Sequence, residues 1–175
     1  MSYKPKTKLG ILGGGQLGRM LIQETINLDI DVHVIDPDEN APCKEIAHSF
    51  THGSFKEYDS VLNFGADKDV VTIEIEHVNV DALEELEKRG VKVYPQPNVI
   101  RLIQDKGAQK EFYSEHNIPT SAYRLVGENE AKNHTDFFPV FQKLRKGGYD
   151  GKGVQPLRTK TDLENAFSEL SVLEK

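Results

Sequence analysis

Lys8-Leu9-Gly10-Ile11-Leu12-Gly13-Gly14-Gly15-Gln16-Leu17-Gly18 decides how this chain folds. A short apolar run, Lys8 to Leu12, reads as a buried strand. Three glycines then make a turn, and Leu17, Met20, Leu21 and Leu28 fall on one helical face. Gly13 to Gly18 thus fits G-x-G-x-x-G between a strand and a helix. Glycines turn at positive φ and let the backbone approach an anion closely. The helix N-terminus that follows offers N–H groups to a phosphate. Asp31 to Ile35 reads as a second strand, stopped by Asp36-Pro37. Asp36 stands where a dinucleotide-binding fold keeps a carboxylate for a ribose. Two readings stay open: an NAD(P) site of an oxidoreductase, or a tight strand–helix turn serving another phosphate or none.

Working outward, Val70-Val71-Thr72-Ile73-Glu74-Ile75 is a strongly β-branched strand. Val80, Leu83 and Leu86 mark a helix closed by Gly90. Val91 to Tyr94 is a further strand, ended by Pro95 and Pro97. Strands alternating with helices predict an α/β, Rossmann-like fold: a parallel sheet with helices on both faces. A long helix is expected from Asn98 to His116. The pattern then changes. Ser121 to Val126 and Pro139 to Lys143 read as strands flanking the polar stretch Gly127 to Asp136. Asp162 to Leu170 reads as a short helix with Leu163, Ala166, Phe167 and Leu170 on one side. The boundary falls near residue 97, giving domains 1–97 and 98–175, the second being short for a core of its own.

The chain has 175 residues, 37% of them apolar, and a formal net charge of −6. No basic tail or patch argues for nucleic acid. Cys43 is the single cysteine. It excludes an internal disulfide and a cysteine-based zinc site, and it suits a reducing compartment. No stretch approaches eighteen consecutive apolar residues, so no membrane span and a cytoplasmic location are expected.

A second glycine-rich segment follows the apolar run Phe137-Phe138-Pro139-Val140-Phe141: Lys143-Leu144-Arg145-Lys146-Gly147-Gly148-Tyr149-Asp150-Gly151-Lys152-Gly153. Successive backbone N–H groups in such a loop cradle an anion, and lysines add point charges. The pattern is not a Walker A loop, because Gly153 follows Lys152 where Ser or Thr would stand. Lys143, ending a strand, suits the α/β-phosphates of a nucleotide. Glu74 and Glu76 alternate along their strand and should share one face at its C-terminal end. Read for function, they are a pair that accepts hydrogen bonds from an amine or sugar; read without one, they are an exposed strand face or partners of neighbouring lysines. His77 beside them lacks the further partners of a metal site. Arg101, Lys106 and Lys110 recur at helical spacing, usually the mark of a solvated face.

Four motifs in order resemble one family: Gly13-Gly-Gly-Gln-Leu-Gly-Arg-Met20; Thr72-Ile-Glu-Ile-Glu-His-Val78; Gln104-Asp-Lys106 with Gln109-Lys110; and Lys143 to Gly153. Together they are similar to the N5-carboxyaminoimidazole ribonucleotide synthetases of the ATP-grasp superfamily. The resemblance covers Leu9 to about Val154. It implies a Rossmann-like pre-ATP-grasp domain followed by the start of an ATP-grasp lobe. It also implies ATP-dependent carboxylation of 5-aminoimidazole ribonucleotide with bicarbonate, through carboxyphosphate, in purine biosynthesis. On this resemblance Lys106 and Lys143 contact ATP, and Gly148, Tyr149, Asp150, Gly151, Lys152, Gly153 and Val154 close over its phosphates. Gln16, Leu17 and Glu74 hold the ribonucleotide, with Tyr149 and Lys152 also facing it. Asp150 steers or accepts the amine proton. Mg2+ is expected to be held by acidic ligands outside this stretch, with no metal site within it. Family members are commonly dimers, so a homodimer is the expected assembly of the full-length form. The resemblance further implies an N-terminal portion, inactive alone. Formate-dependent glycinamide ribonucleotide transformylase and biotin carboxylase share the architecture and stand as alternatives, beside the NAD(P) reading and a nucleotide-sensing module. Phe141-Gln142 depart from the family's smaller β-branched residues, which bears on local packing.

Overall fold

The computed structural model describes residues 6–148 and 151–175. Tyr149 and Asp150 lie outside the described residues, so the roles expected of them are not addressed by it. The chain divides into two compact units, Met1–Ile100 and Arg101–Lys175.

In the first unit five strands form one parallel sheet in the order β3-β2-β1-β4-β5: β1 Lys8–Leu12, β2 Asp31–Asp36, β3 Ser49–His52, β4 Val70–Ile73 and β5 Lys92–Tyr94. Alternate side chains pack on opposite faces, as strand geometry requires. Ile11, Val32 and Val34 join Ile22 and Cys43 on one side. Leu12, Ile35, Val71 and Val93 join Val61, Phe64, Leu83 and Leu86 on the other. Helix α1, Gln16–Thr25, supplies Ile22; α2, Tyr58–Gly65, and α3, Val80–Lys88, supply the opposite layer. Helices therefore cover both faces, as the alternation of strands and helices requires. The Asn79 side chain caps α3, accepting from the Ala82 N–H at 2.9 Å.

Three details differ from the sequence reading. Leu17, Met20, Leu21 and Leu28 are exposed, and α1 instead buries Gly18, Ile22 and Thr25. Gly18 lets the helix backbone lie close to the sheet: a Cβ there would stand 3.1 Å from Cys43 Sγ and 3.2 Å from the Gly13 carbonyl. Strand β4 ends at Ile73, so Glu74 and Glu76 follow the strand rather than alternate along it. Strand β3 and helix α2 had no expectation, because Ser49–His52 is a mostly exposed edge strand without an apolar run.

The expected helix from Asn98 to His116 is two helices, α4 Pro97–Ile103 and α5 Lys106–Glu115. Asp105 breaks it. Its carboxylate accepts the Gly107 and Ala108 N–H groups at 2.9 and 3.2 Å, starting α5 afresh. The second unit carries an antiparallel sheet in the order β6-β9-β7-β8: β6 Tyr123–Val126, β7 Val140–Leu144, β8 Val154–Leu157 and β9 Ser171–Glu174. Only the 3₁₀ turn Lys160–Asn165 is helical where a helix to Leu170 was expected. The chain from Ser171 is instead the strand between β6 and β7. Val126, Ala131, Val140, Leu157 and Leu173 form the core here.

Gln142 lies fully buried in that core with every amide bond made. Its NH2 donates to the Phe167 carbonyl and Ser171 Oγ, both at 3.0 Å. Its oxygen accepts from Gln155 Nε2 and the Phe167 N–H, both at 2.8 Å. A buried amide so satisfied carries no desolvation penalty left uncompensated. The network accounts for the packing of Gln142 in this core.

Candidate functional sites

The sheet order of the first unit sends the chain outward from β1 through β2 to β3, then across to β4 and β5. The reversal lies between β1 and β4, and in open α/β sheets ligands bind beyond the carboxyl ends of the strands at that point. The glycine loop leaves β1 there, and Glu74 leaves β4 beside it. The Gly13 N–H donates to the Ile35 carbonyl at 3.0 Å, and the Glu74 N–H to the Leu12 carbonyl at 2.8 Å. Gly13 has φ +104°, a conformation that needs glycine.

The Glu74 carboxylate occupies the head of this loop. Its Oε1 accepts the Leu17 N–H at 3.3 Å. Cβ atoms built on Gly13 and Gly15 would lie 2.8 and 2.6 Å from its oxygens. The glycines thus make room for a side chain of this protein, and a carboxylate sits where a dinucleotide would place its pyrophosphate. Asp36 is also committed: it accepts the Gly14 N–H and the Asp38 N–H, each at 2.7 Å. It braces the loop through one bond on each oxygen. Gln16 and Leu17 are exposed at the start of α1, next to Glu74's anchor. Glu76, expected to share Glu74's face, turns to His77 Nδ1 at 3.3 Å. Cys43 is fully buried against the loop, its N–H donating to the Gly14 carbonyl at 3.0 Å. Burial, with the Glu74 and Asp36 charges, pushes its thiol up to about 11. It is an unreactive packing residue.

The second unit gathers another group. Strands β7 and β8 form an antiparallel hairpin whose connecting loop is the second glycine-rich segment. The Leu144 N–H donates to the Gly153 carbonyl at 2.8 Å and closes the loop. Gly147, Gly151 and Gly153 all have positive φ, of 79°, 79° and 70°. Lys106 Nζ reaches the Gly148 carbonyl at 3.2 Å, so one expected nucleotide contact already touches the loop. Arg145 forms a two-pronged pair with Asp105, at 2.8 and 2.9 Å, tying the loop's start to the N-terminus of α5. Burial opposes ionisation of Asp105, but the guanidinium and the two backbone donors hold its carboxyl below the usual range.

Lys143 pairs with Glu174, a residue that carried no expectation from its local pattern. Glu174 also takes Lys110 at 2.6 Å and the Ser121 hydroxyl. Burial alone would raise this carboxyl, yet bonds from Lys110, Lys143 and Ser121 bring it down to about 2. Arg101, Lys106 and Lys110 therefore do not form one solvated face: Lys110 is buried, with a relative exposure of 9%. Nothing in the local pattern linked Lys110 to Glu174, 64 residues away. Among the described residues no group of three or more His, Cys, Asp or Glu could hold a metal ion. No helix among them is long and apolar enough to cross a membrane.

A doubly wound parallel sheet with a glycine loop at its switch point is a Rossmann-like domain. The ribonucleotide synthetase preATP-grasp domain family matches residues 6–104, and the chain belongs to that family. It is 39% identical over 163 residues to the chloroplastic phosphoribosylaminoimidazole carboxylase of Vigna aconitifolia, covering 93% of this chain and 29% of that protein. Carboxyaminoimidazole ribonucleotide synthase of Aspergillus clavatus, solved with ATP, superposes with a TM-score of 0.90 at 36% identity over 97% of this chain and 47% of that one. The A. clavatus synthase solved with ADP and 5-aminoimidazole ribonucleotide gives a TM-score of 0.83 at 33% identity, over 97% and 46%. The chain spans less than half the length of these relatives.

Proposed function

We propose that this chain provides the ribonucleotide-binding domain and the first part of the ATP-grasp lobe of an N5-carboxyaminoimidazole ribonucleotide synthetase. In the reaction, bicarbonate oxygen attacks the γ-phosphorus of ATP, and ADP leaves. The exocyclic amine of 5-aminoimidazole ribonucleotide then attacks the carboxyl carbon of carboxyphosphate. A C–N bond forms, the C–O bond to phosphate breaks, phosphate departs and the amine loses a proton.

The carrying observation is the Glu74 carboxylate at the head of the glycine loop. A carboxylate there repels a pyrophosphate and accepts hydrogen bonds from an amine or sugar hydroxyl. This favours the ribonucleotide over NAD(P). Gln16 and the Leu17 backbone complete that contact. In the second unit Lys106 and Lys143 place cationic donors for the phosphates, where charge on a transferring phosphoryl group needs them. On the family resemblance the run Gly148 to Val154 shields carboxyphosphate from water, Tyr149 and Lys152 serve as substrate contacts, and Asp150 steers or accepts the amine proton; Tyr149 and Asp150 lie outside the described residues. Bicarbonate as co-substrate, Mg2+, a homodimer and a cytoplasmic location belong to the same reading. Mg2+ would neutralise phosphate charge, but its ligands find no cluster among the described residues. The roles assigned to these side chains are contact, orientation and exclusion of water.

The test titrates 5-aminoimidazole ribonucleotide, ATP and NADH separately onto wild type and Glu74→Ala. Wild type should bind the first two. Glu74→Ala should lose at least about tenfold in ribonucleotide affinity, the scale of one charged hydrogen bond, and keep ATP within about twofold. Equal loss of both makes Glu74 structural; binding of NADH instead overturns the proposal.

A further inference from the structure

Lys110 uses its whole donor capacity inside the protein. Its ammonium reaches Thr120 Oγ1 at 2.6 Å, Ser121 Oγ at 3.2 Å and Glu174 Oε1 at 2.6 Å. An ammonium has three donors, so none is left for a ligand. Its side chain is 11% exposed and that of Glu174 15%, whereas that of Lys143 is 30% exposed. Glu174 divides its oxygens: Oε1 faces Lys110 and Ser121, Oε2 faces Lys143.

We propose that Lys110 is a positioning residue for nucleotide binding, acting through Glu174 on Lys143. This rests on the reading of Lys143 as a phosphate contact. Removing one partner of a buried ion pair leaves an uncompensated charge, which is strongly unfavourable. With Lys110 in place, Lys143 turns from Glu174 to a phosphate while the carboxylate stays balanced. Without Lys110, Glu174 depends on Lys143 alone and competes with the phosphate for it. The more exposed lysine moves; the buried one holds the carboxylate still.

The experiment measures ATP affinity by calorimetry on the full chain as wild type, Lys110→Met, Lys143→Met and the double variant. Lys110→Met should weaken ATP about tenfold, and Lys143→Met at least as much. In the Lys143→Met background the effect of Lys110→Met should fall below about twofold, because the residue through which it acts is gone. A merely structural lysine would give the same loss in both backgrounds, and that additivity overturns the proposal. Lys110→Met/Glu174→Gln, which removes both buried charges, tests the same link where Lys110→Met does not fold: with no carboxylate competing for Lys143, its ATP affinity should stay within about twofold of wild type. A loss of about tenfold in that folded double variant overturns the proposal as well. If Lys143→Met leaves ATP affinity unchanged, the reading of Lys143 fails and the inference falls with it. If Lys143→Met weakens ATP and Lys110→Met does not, the inference alone fails.

Discussion

Glu74 lies against two glycines that differ in what they tolerate. Gly15 has an ordinary φ of −75°, and a Cβ there meets only the end of the Glu74 side chain, which can move. Gly15→Ala should therefore displace the carboxylate from the Leu17 N–H with little loss of stability, under about 1 kcal/mol. Gly13 adds φ +104° to a contact with the Glu74 Cβ at 3.1 Å. Gly13→Ala should cost about 2 kcal/mol or more, since strain and collision act together. Thermal melts of both variants with ribonucleotide titrations separate the effects: Gly15→Ala lowers affinity and Gly13→Ala lowers the melting point. A large drop in melting point for Gly15→Ala would show that Glu74 cannot yield. The glycine pattern and Glu74 could be singled out from sequence, the first just past an apolar strand and the second at the C-terminal end of a β-branched one, although the strand ends at Ile73 before it. That the glycines make room for Glu74 was not, because 57 residues separate Leu17 from it.

At the scale of elements, α5 is joined to β9 and β7 through one carboxylate, and that junction titrates. The Glu174 carboxyl falls from an ordinary 4.5 to about 2 in the folded protein. A depressed folded-state value means that the ionised form is favoured by folding. Its stabilisation is complete above about pH 4.5 and is lost as pH falls toward 2. On the order of 2 kcal/mol should disappear over that window. Glu174→Gln should be less stable at pH 7 and lose less on acidification, as followed by denaturant melts of the second unit. A parallel acid limb in both proteins would place the loss on other carboxylates. Elements built on continuous apolar patterns, β1, β2, α3 and β7, could be read directly. Those whose existence depends on a distant partner could not: the exposed edge strand β3, the break at Asp105 held by Arg145, and the four-residue β9 inserted between β6 and β7.

Across the whole molecule the two units differ in how much apolar surface they bury. The first has clusters on both faces of its sheet, with Ile11, Leu12, Val34, Val61, Leu83 and Leu86 fully inaccessible. The second relies on Val126, Ala131, Val140, Leu157 and Leu173, supported by the Gln142 network. Burial of apolar area is the main favourable contribution to folding, so the second unit should open at lower free energy. Hydrogen exchange should show the amides of β7 and β9 exchanging before those of β1 and β4. Ligands turn this difference into a test of where each binds. A ligand at about 100 times its Kd stabilises the state it binds by about 2.7 kcal/mol. ATP should slow exchange about 100-fold at the Leu144 amide and its neighbours in the second unit, and 5-aminoimidazole ribonucleotide should protect Leu17 and Gly14 in the first. Protection by ATP confined to residues 6–100 would reverse the assignment and restore the glycine loop of β1 as the nucleotide site.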